Sequence, residues 1–551
     1  MQLFSKLFHG RTNGTSQLEA QPDRDQVRNS AGGFVYALDA WARLDRFLIL
    51  GTEGGTFYAG ERELTKENAQ HLTSLVRENG MRVVERIVEI SKAGRAPKVS
   101  PALFALAMCA GFGDEATRRL ALGPALGAVC RTGSHLLEFA AYVEQFRGWG
   151  RGLRTGVGNW YLEKAVGDLA YQVLKYQNRH GFTHRDLLRL AHPSTEDAAR
   201  RALFAWIVDG TAPADPVGDA MGAAGDAADA AGNGLALIAA YERAKRLAPA
   251  NAAECAALVR ETRLPREALP TEWLREPAVW EALLEDMPMT AMLRNLATMT
   301  RVGLLTPLAE ATQTVVARLR DNARLRKARV HPVAVLGALV TYRSGRSARG
   351  SGTWTPLPVV TDALEDAFYA SFEHVEPTGA RTLVGLDVSG SMSCGAVSGM
   401  PGLTPRAAAS AMAMTHVRTE ANAQVCAFTD RFVDLNVKAT ERLGPLMHRT
   451  EGLPFERTDC ALPMLFALER RFEVDTFVVY TDNETWAGTI HPDEALRTYR
   501  ERTGIPAKLA VVGMSATGFT IADPNDAGML DVVGFDSAAP AVIADFARTA
   551  R

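Results

Sequence analysis

Several things are scarce in this 551-residue chain, and each scarcity excludes something. Net charge is nearly absent, with 61 Lys+Arg against 63 Asp+Glu and a formal total of -2. Long apolar runs are missing too. The longest candidate, residues 101–111 (PALFALAMCAG), falls short of the ~18 apolar residues that span a bilayer and reads as a buried helix. The opening residues, MQLFSKLFHGR, lack the apolar centre and small-residue cleavage site of a secretion signal, so a cytoplasmic chain without membrane contact is expected. The six cysteines, at 109, 130, 255, 394, 426 and 460, form no CxxC, which indicates neither a disulfide framework nor a zinc site. No P-loop, HExxH or Cys–His set occurs, and the histidines do not recur with a nucleophile at a catalytic spacing. What is present is ordinary: 47% hydrophobic and 23% charged residues, a globular composition long enough for several domains or a repeat array plus a domain.

The near-zero charge hides a division. Residues 361–551 carry 16 Lys+Arg and 26 Asp+Glu, a net of -10, which leaves 45 and 37, a net of +8, for residues 1–360. Such asymmetry hints at nucleic-acid contact by the basic part, although +8 over 360 residues is also compatible with a solvated surface.

The period of the apolar residues divides the chain at the same place. Residues 1–30 are polar and unpatterned and read as a tail. From 31 to about 375 the spacing is helical: Leu72, Leu75, Val76, Val83, Val84, Ile87 and Ile90 recur at threes and fours. The pattern predicts helices over 100–110, 114–131, 134–146, 159–178, 184–192, 196–208, 234–247, 277–300, 306–320 and 332–342. Stacked helix pairs resemble a HEAT-type α-solenoid, the alternative being a compact multi-helix domain. Residues 211–233 (TAPADPVGDAMGAAGDAADAAGN) interrupt the series as an expected flexible loop. From 376 to 551 the runs RTLVGLD (381–387), AQVCAF (423–428), DTFVVYT (475–481) and AKLAVVG (507–513) alternate with helical stretches at 404–421, 459–472 and 492–503. Unbroken apolar strands alternating with helices predict a doubly wound α/β domain with a parallel sheet covered on both faces, its ligands at the carboxyl ends of the strands.

The first of these strands runs into Asp387-Val-Ser389-Gly-Ser391, which places a carboxylate at the strand end and two hydroxyls on the loop beyond. Thr458, before a helix, and Asp482, directly after FVVYT, occupy comparable positions. Two carboxylates and three hydroxyls are a hard, all-oxygen set suited to Mg²⁺ or Mn²⁺ rather than zinc. The alternative is that Ser389 and Ser391 merely cap the next helix. The arrangement resembles the metal-ion-dependent adhesion site of the von Willebrand factor A fold, a resemblance that makes all five residues ligands.

In the helical half, residues 147–192 hold two cationic stripes. Lys175 and Arg179 are four apart, the spacing of one helix face; Arg185, Arg189 and His192 fall at four and three on the next helix. Together they make a candidate patch for phosphates. Trp149, Trp160, Tyr161, Tyr176 and Phe182 lie among them, placed either to stack unpaired bases or to fill the core. A second basic cluster holds Arg318, Arg320, Arg324, Arg326, Lys327 and Arg329, followed by Arg343, Arg346 and Arg349.

Several long segments carry a family resemblance: residues 28–69, GWGRGLR (148–154), KYQNRHGFTHRDLLRLAHPS (175–194), MPMTAMLRNL (287–296), KARVHP (327–332), VEPTGARTLVGLDVSGSM (375–392), YTDNETWAG (480–488) and 513–536. In order and over nearly the whole chain, they resemble the Ro autoantigen family, which bears the TROVE module. The N-terminal tail and the loop at 211–233 match no motif of it. The resemblance implies a monomeric ring of HEAT-like repeats closed by a von Willebrand factor A-like domain. It also implies a small structured noncoding Y RNA on the outer basic surface and single-stranded 3′ ends of misfolded RNA in a central hole. For bacterial relatives it implies work with an exoribonuclease such as polynucleotide phosphorylase in RNA quality control, maturation or decay. Lys175, Arg179 and His192 match positions at which the family contacts RNA. The leading expectation is therefore a non-enzymatic RNA-binding scaffold. A metal-dependent protein-adhesion or assembly module is the second reading. A metal-dependent nuclease is the least favoured, because hydrolysis usually wants a denser carboxylate cluster.

Overall fold

The structure is a computed structural model that describes residues 14–51, 61–211, 226–248, 250–347, 351–373, 375–397, 402–453, 457–535 and 538–549. It opens with two short strands, β1 (Gln26–Arg28) and β2 (Phe34–Ala37), and the helices α1 (Ala40–Leu50), α2 (Glu61–Ala93), α3 (Ser100–Phe112), α4 (Glu115–Leu122), α5 (Pro124–Val129), α6 (Gly133–Phe146), α7 (Arg151–Glu163) and α8 (Val166–Lys175). A hairpin, β3 (Asn178–Arg179) and β4 (Phe182–Thr183), leads into α9 (His184–Ala191), α10 (Ala198–Asp209), α11 (Asp226–Ala244), α12 (Ala252–Thr262), α13 (Pro277–Asp286), α14 (Met289–Arg301), α15 (Glu310–Leu319), α16 (Asn322–Lys327), α17 (Pro332–Arg343) and α18 (Pro358–Ala370). The α/β half follows as β5 (Thr382–Asp387), α19 (Pro405–Thr419), β6 (Ala423–Phe428), β7 (Phe432–Asp434), α20 (Leu443–Glu451), α21 (Leu462–Arg470), β8 (Thr476–Thr481), α22 (Pro492–Thr503), β9 (Lys508–Gly513), β10 (Phe519–Thr520), β11 (Met529–Val533) and α23 (Ala538–Arg548).

Local chemistry punctuates the helices. Asp39, Asp114, Thr183, Asp197 and Thr404 accept from first-turn amides of α1, α4, α9, α10 and α19, satisfying donors that have no partner within the helix. Three stretches expected as single helices are broken for visible reasons. Gly123 and Pro124 divide 114–131, and Met287-Pro288 divides 277–300, because proline cannot donate to the preceding turn. The expected helix over 159–178 stops at Glu163 and restarts at Val166, with Lys164 and Ala165 extended. The helices α1, α12, α16 and α18 were not among those expected. The loop expected at 211–233 is corrected from one side: α11 starts at Asp226, where the Ala-rich run DAADAA favours helix, and residues 212–225 lie outside the described residues.

In the helical half each element packs on the next, from α2 through α3, α6, α8, α11, α12, α13 and α14 to α17 and α18. The series begins and ends on the α/β half: α1 packs against β11 and α17 against α19. Its own ends also meet, since the His331 ring that caps α17 hydrogen-bonds the carbonyl of Arg95, just past α2, at 3.0 Å. Among the described residues, no helix is long and apolar enough to cross a membrane.

The principal sheet has the order β11-β9-β8-β5-β6-β7, parallel except for the edge strand β7. Every residue of β5, β8 and β9 is buried, as a sheet covered on both faces requires. After the edge strand β7 the chain crosses to the other side of β5, so the strand order reverses there and opens a crevice at the carboxyl ends of β5 and β8. The polar tail expected over residues 1–30 is corrected where it is described. Residues 14–30 are laid on the α/β half: β1 pairs with β2, and β2 pairs antiparallel with β10, Phe519 opposite Ala37. Polar side chains carry that docking, which is why no apolar period announces it.

Candidate functional site

All five residues expected as metal ligands are buried. Asp387, Ser389, Ser391 and Asp482 lie together at the carboxyl ends of β5 and β8. Thr458 is on the loop between α20 and α21 rather than at a strand end, its carbonyl accepting the Trp486 and Ala487 amides. Asp387 ends β5; one of its oxygens accepts the Ser389 amide at 2.9 Å and the other the Thr481 hydroxyl at 2.7 Å. The Ser389 and Ser391 hydroxyls lie 3.0 Å apart. They do not cap a helix: the short turn that follows has Gly390 at its cap and no side-chain bond, and α19 is capped by Thr404. The buried Arg406 braces the loop from beneath, its guanidinium donating to the carbonyls of Val388, Ser389 (3.0 Å) and Thr450 (3.2 Å).

Acidic groups are crowded into this buried crevice. Burial pushes the Asp387 carboxyl up from its ordinary value. Burial, then the neighbouring charges of Asp387 and Glu484, push Asp482 well above its own. Three buried oxygens, Thr458 Oγ1, Asp482 Oδ2 and Glu484 Oε1, have no hydrogen-bond partner among the described residues. Unpaired buried acceptors are rare and ask for an explanation such as an ion. The donor set therefore fits a small, hard divalent cation. Glu484, Thr481 and Gln17 were not among the expected site residues. The TDNET run held two of them, but only the fold shows that they face Asp387 and its neighbours.

The cationic candidates fall elsewhere. Lys175 and Arg179 do not share a helix face, contrary to the spacing. The helix α8 ends at Lys175, and Arg179 lies on β3, because His180 and Gly181, both at positive φ (48° and 82°), turn the chain back as a two-residue hairpin. Lys175 is half-buried; its ammonium lies 5.1 Å from the Tyr171 ring centre and 5.7 Å from that of Tyr176, and donates to the Tyr171 hydroxyl at 3.2 Å. Arg179 reaches the Ser134 hydroxyl at 3.2 Å. Arg185 and Arg189 are exposed on α9, and His192 is its exposed left-handed C-cap. These elements are brought together around α6, which contacts α8, β3, β4 and α9. Among the described residues none of Lys175, Arg179, Arg185, Arg189 and His192 forms an ion pair. A cavity of about 840 Å³ opens beside Lys175, lined also by Tyr171, Arg263, Arg266 and Asn295.

The aromatics divide. Trp160 and Tyr161 are core, whereas Trp149 packs on Phe182 with ring centres 6.3 Å apart. In the second basic cluster Arg318 closes the end of α13 through the carbonyls of Leu284 and Glu285, and Arg320 pairs with Asp366 at 3.1 Å. Arg324, Arg326, Lys327 and Arg329 are exposed; Arg349 lies outside the described residues.

Comparison with known proteins matches this architecture half by half. The family model described as the TROVE domain covers residues 27–341, and the one described as the Ro60 vWA domain covers 381–547. The chain belongs to the Ro family. Among its Ro relatives, a Deinococcus radiodurans protein named RNA-binding protein RO60 is 44% identical over 527 residues, which is 96% of each chain. A Caenorhabditis elegans protein of the same name is 36% identical over 592 residues, spanning 96% of this chain and 91% of its own. The crystal structure of the Deinococcus radiodurans RO (RSR) protein matches with a TM-score of 0.69 at 43% identity, covering 93% of this Ro chain and 99% of that one.

Proposed function

We propose that this chain is an RNA-binding scaffold rather than a catalyst. In this reading it carries a structured small noncoding RNA of the Y type on the cations gathered around α6. Single-stranded 3′ ends of misfolded RNA enter the hole of a monomeric ring, and an exoribonuclease such as polynucleotide phosphorylase is the partner in RNA quality control, maturation or decay in the cytoplasm. The observation that carries it is the set Lys175, Arg179, Arg185, Arg189 and His192: adjacent basic groups left without ion pairs, in a chain whose relatives are named RNA-binding proteins. Unpaired surface cations are what phosphates neutralise, with release of counterions. The cavity beside Lys175 has the size of a small-ligand site and suits one unstacked base.

RNA is expected to co-purify with the protein, and its affinity to fall steeply with salt. Replacing Lys175 and Arg179 together by alanine should weaken binding and flatten the plot of log affinity against log salt by about 0.7–0.9 per lost phosphate contact. Nucleic-acid-free protein with no salt-dependent affinity would instead favour the adhesion reading.

In the same proposal Asp387, Ser389, Ser391, Thr458 and Asp482 hold a divalent cation, Mg²⁺ or alternatively Mn²⁺. The unpartnered oxygens of Thr458 and Asp482 support it. When bound, the ion offers a positive centre to an acidic side chain or a phosphate oxygen. Asp387→Ala should abolish the rise in melting temperature that Mg²⁺ gives the wild type, because a ligand that binds only the native state stabilises it. An undiminished response in that variant would remove the site. Degradation of labelled RNA by pure protein, lost in Asp387→Ala, would promote the nuclease reading.

A further inference from the structure

The loops that carry two of the proposed ligands are joined by a side chain from the other end of the chain. Gln17 is completely buried, and its amide makes four hydrogen bonds. Its nitrogen donates to Asp459 Oδ1 at 2.8 Å and to the Ile490 carbonyl at 2.9 Å; its oxygen accepts the Thr485 hydroxyl at 2.6 Å and the Gly488 amide at 3.1 Å. Asp459 follows the candidate ligand Thr458, and Thr485 lies three residues past Asp482, so one amide spans both ligand loops. The fit is close: a Cβ on Gly488 would come within 2.3 Å of the Gln17 nitrogen and 2.5 Å of Asp459 Oδ1.

The rest of the segment tightens the same loop. Asn29 donates to the carbonyls of Thr485 (2.8 Å) and Asn483 (3.2 Å). At Gly33 any Cβ would meet the Thr485 carbonyl at 1.9 Å, so only glycine permits this approach. The Ala31 amide donates to Glu484 Oε2 at 3.0 Å, while Glu484 Oε1, buried two residues past Asp482, has no partner among the described residues.

We propose that residues 14–33 are a strap that sets the geometry of the cation site, with Gln17 as its positioning residue and Glu484 as the carboxylate through which strap and site touch. This rests on the reading that Asp387 and its neighbours bind a cation. Small divalent ions demand near-ideal placement of their oxygens. Groups that hold ligands in place, without touching the metal, typically change affinity by about 10–100-fold when removed. Here the group holding Thr458 and Asp482 in mutual register comes from 442 residues away along the chain.

The test uses the full-length protein and Mg²⁺ alone, titrated by calorimetry and by melting temperature. Gln17→Ala should weaken Mg²⁺ binding about 10–100-fold. Arg24→Ala is the control: it cuts the strap's 2.8 Å ion pair with Asp523 and should leave Mg²⁺ affinity within about twofold. Normal affinity in Gln17→Ala would overturn the strap while leaving the cation site standing; a wild type that does not respond to Mg²⁺ would overturn the cation site itself. The converse measurement needs no strap variant. By linkage, Mg²⁺ should slow tryptic cleavage after Arg24 and Arg28 in the wild type but not in Asp387→Ala. Equal cleavage with and without Mg²⁺, in protein shown to bind it, would sink the coupling.

Discussion

At the scale of single residues, two buried histidines and one half-buried histidine make the fold sensitive to acid. His184 lies under Gly133, stacks on Trp160 and shares a 2.6 Å hydrogen bond with the Tyr161 hydroxyl. His416 shares one of 2.9 Å with the Tyr480 hydroxyl, and His135 is enclosed near Arg131. Burial pushes each of the three down to about 4. A histidine depressed in the fold binds its proton more readily when unfolded, so its contribution is present above the unfolded value near 6.5 and is lost as pH falls toward 4. The urea midpoint should therefore fall across that window. His416→Gln, which still offers Tyr480 a partner, should remove part of the slope; an unchanged slope would exclude His416 as a contributor.

At the scale of elements, the α8–hairpin–α9 unit decides where the cations point. Thr183 ends the hairpin and caps α9: its hydroxyl accepts the Asp186 amide at 3.2 Å while the Asp186 carboxylate accepts the Thr183 amide at 2.9 Å. Thr183→Ala should cost about 1 kcal/mol in urea denaturation, because the hydroxyl that accepts the Asp186 amide is removed. It should also weaken RNA binding, since Arg185 and Arg189 ride on that helix. A variant as stable as wild type would show that α9 is held by packing alone.

The same unit shows what the sequence could and could not disclose. The spacing of Arg185 and Arg189 was readable because α9 begins at a strong cap and runs unbroken. The spacing of Lys175 and Arg179 misled because a two-residue turn at His180-Gly181 interrupts a pattern that still counts in fours. In the α/β half, strands buried on both faces must be unbroken apolar runs, so Asp387 and Asp482 stood out at their ends, whereas Thr458 lies on the loop between α20 and α21 and follows no strand. Gln17 did not stand out. A lone glutamine in a polar stretch looks solvated until the loops it bonds, more than 400 residues onward, are folded around it.

At the scale of the whole molecule, a buried cation helps to fasten the two halves. Arg46, 1% exposed on α1, donates to the carbonyls of Thr517 (3.3 Å) and Phe519 (3.0 Å) and pairs with Asp531 on β11 at 2.5 Å. Arg46→Met should destabilise the protein by about 3–5 kcal/mol, because Asp531 would keep its charge without a partner. Arg46→Met combined with Asp531→Leu should recover part of the loss. A double variant no better than the single would assign the cost to packing instead, and chemical denaturation of the three proteins decides it.

The docking of residues 14–37 on the last third of the chain also sets an order of events in time. These residues leave the ribosome long before the loops and the strand β10 that they bind. At ~5–20 residues per second, that wait is on the order of a minute. Until those later loops and β10 emerge, residues 14–37 have nowhere to bind, and their docking follows the synthesis of the α/β half.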